Sequence, residues 1–238
     1  IITKVTLMVK PIPEIWGFHA CRCDRPERLL ECLAGTRSLP CALEVLSGPA
    51  WSSLPGRPSD DSRRPLVLVG FEGPEAEVGW MLDTIEAEWA SAGASECVNI
   101  LGEDADALWT RLCEFPAPTP GEPTAVVEIG VLPNQVAELV ETLRRSSESH
   151  SIQAHAGNGV VRVRRPGGAE SEIRQFIAAA RRLAAEARGR ATVLSVPPEI
   201  ALSAEEAFGP VGSGFALMRR LKERFDPKDI LNPGRMVY

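Results

Sequence analysis

The chain has 238 residues, 44% of them hydrophobic, and a formal net charge of −6. That length supports one large domain or two small ones around a real core, and the acidic balance leaves no basic stripe to neutralise a nucleic-acid backbone. No run approaches the roughly 18 apolar residues of a membrane-spanning helix.

Residues 1–10 read as an extended segment, mid-strand in character and without an initiator Met, stopped by Pro11 and Pro13. It is expected to continue from something longer. A strand is predicted over 16–23, then a helix over 26–34 with Leu29, Leu30 and Leu33 at helical spacing. A short apolar strand over 42–46 leads into a polar Gly/Pro/Ser loop over 47–64, long enough to reach a partner. Next come a near-continuous apolar strand over 66–71 and a helix over 75–92, whose Val78, Met81, Leu82, Ile85 and Trp89 form one stripe. A return strand over 97–101 precedes a helix carrying Leu108, Trp109 and Leu112. The proline-rich stretch 115–123 reads as a linker.

Beyond the linker the order repeats. Residues 124–131 form a strand and 134–146 a helix with Val136, Leu139, Val140 and Leu143 on one side. Strands over 151–156 and 160–164 flank Gly157-Asn158-Gly159, a hairpin signal. A helix over 171–188 and a strand over 191–196 close the unit before Pro197-Pro198. Two β-α-β-β-α-β units predict an α+β fold: two ferredoxin-like (split βαβ) units in one antiparallel sheet, joined edge to edge, with helices on one face, plus a C-terminal helix and tail. The expected division is 1–15, 16–114, 115–123, 124–200 and 201–238. The sheet face without helices must be solvated or lie over a ligand or another domain.

Six cysteines are present. Cys21 and Cys23 alternate along one strand, and Cys32, Cys41, Cys97 and Cys113 are scattered among apolar neighbours, a pattern of reduced, mostly buried thiols. No metal-ligand spacing, phosphate loop or nucleophile elbow occurs. The candidate chemistry lies in the second unit. Strand alternation puts Arg162 and Arg164 on one face, which reads either as the solvated face of a polar strand or as a pair of guanidinium groups suited to a carboxylate. His155 reads as a base, a ligand or a hydrogen-bonded sheet residue, the last being the commonest state of a lone histidine. At the C-terminus Asp226-Pro227 stops a helix, and Asn232-Pro233-Gly234-Arg235 makes a tight turn with exposed amides.

The ending from Leu217 to Arg235, with its Phe225-Asp226-Pro227-Lys228-Asp229-Ile230-Leu231-Asn232-Pro233-Gly234-Arg235, resembles the C-terminus of FAD-linked oxidases of the vanillyl-alcohol oxidase type. Residues 2–7 resemble the strand that leaves their flavin-binding domain. Ala154-His155-Ala156-Gly157-Asn158-Gly159 resembles a strand-turn-strand of the D-lactate and glycolate oxidase branch, with the FAD-binding E subunit of glycolate oxidase nearest in pattern. The resemblance implies a cap domain, preceded by a flavin-binding domain from which 1–15 emerges. FAD would be the cofactor of the complete protein, with Asn232, Pro233, Gly234 and Arg235 beside it. The reaction implied is hydride transfer from a small 2-hydroxy acid to the flavin. The partners implied are the flavin D-type and iron–sulfur F-type subunits, in the cytoplasm or against the inner face of the membrane.

Members with a metal-assisted site carry His-x-Gly-Asp-Gly-Asn-x-His. Here Asn158 replaces the acid and Arg162 stands at the second histidine, and the downstream Gly-Glu-His-Gly has no counterpart. This departure fits the E-type subunit. On the residues alone a reading of another class stays open: a tandem ferredoxin-like module that binds a small anion or mediates assembly without redox chemistry.

Overall fold

A computed structural model describes residues 4–9, 11–52, 64–117, 121–210, 212 and 214–233. The first unit comprises β1 (Ile15–Arg22), α1 (Pro26–Cys32), β2 (Ala42–Ser47), β3 (Leu66–Gly73), α2 (Glu75–Ser91) and β4 (Cys97–Leu101). Helix α3 (Glu103–Glu114) follows. The second unit comprises β5 (Thr124–Gly130), α4 (Val136–Ser146), β6 (Ser151–His155), β7 (Val160–Pro166), α5 (Glu170–Glu186) and β8 (Arg190–Ser195), and α6 (Ala204–Phe208) and α7 (Phe215–Phe225) end the chain.

All eight strands form one sheet in the order β4-β1-β3-β2-β6-β7-β5-β8, with every neighbouring pair antiparallel. Each half is a split βαβ unit, and the halves join edge to edge through β2 and β6, strands that the doubled pattern does not single out. In that seam Glu44 lies opposite His155, and Leu46 opposite Gln153. At the β6–β7 turn Gly159 sits at φ 78°, and a Cβ there would fall 1.9 Å from the Val131 carbonyl oxygen. Only glycine meets both demands.

Strand alternation sorts the core into two layers. Val45, Val67, Val69, Phe71, Val127, Ile129, Ile152, Val161 and Val163 face α1, α2, α4 and α5, whose buried stripes are those the helical spacing predicts. The four helices of the two units thus share one face. The opposite face of the first half is covered as well. There Phe18, Ala20, Leu46, Leu66, Leu68 and Ile100 pack against Ala105, Leu108 and Leu112 of α3 and against Trp51.

The helix α3 thus lies on a face expected to carry no helix, and three further expectations change. Phe115, read as the start of a linker, is buried and stacked on Trp51 with ring centroids 5.0 Å apart. Cys21 faces Cys97 across β1 and β4 and is joined to it by a disulfide, with Cα atoms 4.2 Å apart. A pairing across 76 residues has no local signature. Cys41 and Cys113 are exposed rather than buried, and Cys23 and Cys32 lie between. Finally, residues 4–9 join no strand, and Val5, Leu7, Met8 and Val9 are exposed. Most of the polar loop read at 47–64, namely 53–63, lies outside the described residues, as do 1–3, 118–120 and 234–238.

Candidate functional site

Four charged or ionisable side chains line up along the sheet face opposite the four unit helices, one from each of four consecutive strands: Glu44 on β2, His155 on β6, Arg162 on β7 and Glu128 on β5. Glu44 Oε1 lies 2.5 Å from His155 Nδ1, His155 Nε2 lies 2.7 Å from Arg162 Nη1, and Arg162 Nε donates to Glu128 Oε2 at 2.9 Å. A guanidinium has only N–H groups to offer, so His155 Nε2 accepts. The ring proton therefore sits on Nδ1 and is donated to Glu44. Arginine fixes both the tautomer and the direction of the relay.

Burial is graded along this row. Glu44 is 4% exposed, whereas His155, Arg162 and Glu128 are partly open. Burial pushes the Glu44 carboxyl above its ordinary pKa, against the opposing pull of His155 and Arg162. Glu44 Oε2 has no hydrogen-bond partner among the described residues. The row opens into a cavity of about 600 Å³ whose other wall is Trp109, Leu112 and Cys113 of α3, with Asn158 at its rim.

Arg164 does not join Arg162. It shares the face, as alternation predicts, but its Nη2 donates to the carbonyl oxygens of Phe115 and Ala117, and its guanidinium lies 4.6 Å over the Phe115 ring. It borders a second cavity of about 900 Å³, lined also by Arg111, Phe115, Thr124 and Ser151. The two arginines therefore serve separate cavities, and His155 and Arg162 are the pair that the fold brings together.

The C-terminal candidates are placed only in part. Asn232 and Pro233 stand exposed, Asn232 at φ 48°, while Gly234 and Arg235 lie outside the described residues. The turn before them is tied down locally. Asp226 accepts from the Ile230 and Leu231 amides, and Lys222 Nζ donates to Asp226 and to the Leu231 carbonyl. None of the residues of α7 is buried, and Leu217, Met218, Leu221 and Phe225 are exposed.

Sequence reasoning missed Glu44 and Glu128. A weak signal existed: each is the one charged residue inside an otherwise apolar strand. The partnership of Glu44 with His155 follows only from the β2–β6 pairing, 111 residues apart in the chain. Likewise His19, Cys21 and Cys97, which show no ligand spacing in sequence, converge at the far end of the sheet with ligand atoms within 4.8 Å of one another.

No curated protein sequence matches this chain. Among solved structures, 4-ethylphenol oxidase from Gulosibacter chungangensis, in a complex with isoeugenol, is 14% identical with a TM-score of 0.55, over 95% of this chain and 54% of that one. An alkyldihydroxyacetonephosphate synthase is 15% identical with a TM-score of 0.49, over 94% of this chain and 45% of that one. This chain therefore spans about half the length of the structures it resembles. The likeness to the oxidase shows a shared fold. A family model described as "FAD linked oxidases, C-terminal domain" matches residues 27–193 and 204–236. With most of the sequence matched, from α1 through the second sheet half and on into the tail, the chain belongs to the FAD-linked oxidase C-terminal domain family.

Proposed function

We propose that this chain is the substrate-side cap of a FAD-dependent oxidoreductase of the glycolate oxidase E-subunit type, acting on a small 2-hydroxy acid. The observation that carries the reading is the Glu44–His155–Arg162 row lining a cavity, on a sheet face that α3 covers only in part in the second half. A substrate carboxylate is a better acceptor for a guanidinium than a neutral imidazole nitrogen is. Binding of that carboxylate would draw Arg162 from His155 Nε2 and bare its lone pair. His155 would then take the hydroxyl proton of the substrate, and Glu44 behind Nδ1 would stabilise the imidazolium formed.

The donor set also fits a flavin edge, because a guanidinium beside the reacting centre offsets negative charge as the ring is reduced. Bound FAD would supply the hydride acceptor. Asn232, Pro233, Gly234 and Arg235 are proposed to approach it, with the apolar row of α7 and the exposed residues 4–9 docking on the flavin-binding domain. D-type and F-type subunits and a cytoplasmic setting complete the reading. Until the carboxylate arrives, the Arg162 guanidinium stands beside His155, at the sequence position where the metal-assisted branch carries a second histidine.

The test uses the natural full-length protein with flavin bound, mixed anaerobically with short 2-hydroxy acids. His155→Gln is expected to slow flavin bleaching about 10²–10⁴-fold with flavin content unchanged, and Arg162→Met to raise the concentration of acid needed. Bleaching at the wild-type rate in His155→Gln would overturn the reading. Arg235→Ala, in the same protein, is expected to lower the flavin retained through gel filtration.

A further inference from the structure

The end of the sheet farthest from β8 holds a different chemistry, on the opposite face, and it does not depend on the flavin reading. His19 and Cys21 stand two residues apart on β1 and share a face with Cys97 of the edge strand β4, which lies directly opposite Cys21. His19 Nδ1 is 2.6 Å from Asn99 Oδ1. A carboxamide oxygen only accepts, so Nδ1 carries the ring proton and Nε2 presents a lone pair. That nitrogen lies 3.5 Å from Cys21 Sγ. Asn99 is held in turn, its Nδ2 donating to Glu86 Oε2 at 3.2 Å, and Trp89 packs against the imidazole at 5.3 Å between centroids. An imidazole steered from behind through its other nitrogen is the arrangement that ligating histidines require.

The geometry points to a metal site: once the Cys21–Cys97 disulfide is reduced, the two thiolates and His19 Nε2 bind one thiophilic d¹⁰ cation, Zn²⁺. In tetrahedral zinc with Zn–S near 2.3 Å and Zn–N near 2.0–2.1 Å, adjacent sulfur and nitrogen ligands stand about 3.5 Å apart. His19 Nε2 and Cys21 Sγ already have that separation. Only Cys97 has to turn, carrying its sulfur to about 3.8 Å from Cys21 Sγ. Cys97 is on the edge strand and only partly buried, so it is the ligand free to move and the side from which the ion arrives. The fourth position faces that edge and takes water.

The steps balance. A dithiol reductant gives two electrons and two protons to the S–S bond and becomes a disulfide itself, leaving two thiols. Zn²⁺ then displaces both thiol protons, while His19 contributes a lone pair and loses none. Two thiolates and Zn²⁺ sum to zero charge, which suits a place as dry as that of Cys21 and His19.

The whole chain serves for the test. The four other cysteines are first alkylated while the disulfide protects Cys21 and Cys97, and the pair is then reduced with a non-chelating phosphine. Equilibrium dialysis against Zn²⁺ is expected to give one ion per reduced chain and none per oxidised chain. Co²⁺ in its place should show a thiolate charge-transfer band. Cys97→Ala, made where the four other cysteines are serine because it leaves Cys21 unprotected from alkylation, should abolish binding, and Asn99→Ala should weaken it about 10–100-fold. A second preparation, with Cys23→Ser, Cys32→Ser, Cys41→Ser and Cys113→Ser in place of alkylation, guards against incomplete labelling. If the reduced pair binds no Zn²⁺ in whichever preparation keeps a cooperative melt, or if Cys97→Ala binds as tightly as its parent, the proposal fails.

Discussion

The two halves of the sheet follow one order of strands and helices and differ in what covers the second face. In the first half that face is a core layer, with Phe18, Leu46, Leu66 and Leu68 sealed beneath α3 and Trp51. In the second half the corresponding strand positions carry Gln153, His155, Arg162, Arg164, Glu128 and Thr192. A duplicated unit thus supplies a frame in which one copy seals its second face with an apolar layer and the other lines it with polar and ionisable side chains. The ionisable row lies where the two treatments meet, with α3 as one wall of its cavity.

The largest effect should come from removing the layer that only the first half possesses. Leu108 is buried between α3 and the sheet, so Leu108→Ala should cost about 2–5 kcal/mol in denaturant unfolding through lost transfer energy and the cavity left behind. A loss within the range of ordinary surface substitutions would mean that α3 is not a core layer, and the contrast between the halves would collapse. Arg164→Ala comes next. Arg164 ties the end of α3 to β7 through two backbone carbonyls and the Phe115 ring. Its loss should cost about 1–3 kcal/mol, measured in the same way. Arg164→Lys should recover little, because an ammonium cannot span both acceptors with a planar fork.

Much of this architecture was legible because it is written in local periodicity. The spacing of Val78, Met81, Leu82, Ile85 and Trp89 dictates the buried stripe of α2, and Gly157-Asn158-Gly159 dictates the β6–β7 turn. The doubled order of strands then leaves edge-to-edge joining as a natural way to pair two open sheets. The covering of the first half was not legible: the stripe of Leu108 and Leu112 says that α3 buries a side, not which face of the sheet receives it. The site was half legible for the same reason. His155 and Arg162 share a short hairpin, so alternation brings them together, whereas Glu44 and Cys97 acquire their partners through pairings across 111 and 76 residues.

A third, pH-dependent effect asks whether Glu44 belongs to the dry side of this boundary. Its carboxyl is raised by burial, so the folded state holds the proton more tightly than the unfolded chain does. The stability associated with the protonated form is then complete below the ordinary glutamate value of about 4.3 and is lost as pH rises through the raised folded value. Glu44→Gln cannot ionise and escapes that loss. The unfolding free energy of Glu44→Gln relative to wild type should therefore climb with pH above the ordinary glutamate range, in urea titrations across a pH series. A flat difference would place Glu44 in a solvent-like environment and move the boundary between the halves.

The smallest effect concerns the tail, which belongs to neither half. None of the residues of α7 is buried, yet the turn after it is ordered by its own side chains. Lys222 Nζ lies 2.5 Å from Asp226 Oδ2 and 2.9 Å from Asp229 Oδ1, and Asp226 accepts from Leu231 N at 2.8 Å and Ile230 N at 3.0 Å. The hydrogen bond from Lys222, followed by the Leu231 and Ile230 amides, holds the Asp226 carboxyl below its ordinary pKa. The knot is therefore intact above the ordinary aspartate range and loosens as pH falls through the depressed value. Lys222→Ala should raise amide exchange at Ile230 and Leu231 while leaving the denaturant midpoint where it was, and acid should do the same to the wild type. Unchanged protection of those two amides would show that the turn is set by Pro227 and Pro233 alone. A shifted midpoint would show that the tail is part of the core after all. A turn shaped by residues within ten positions of itself needs no other domain to set its form, which is the property that the proposed approach of the tail to a cofactor domain would require.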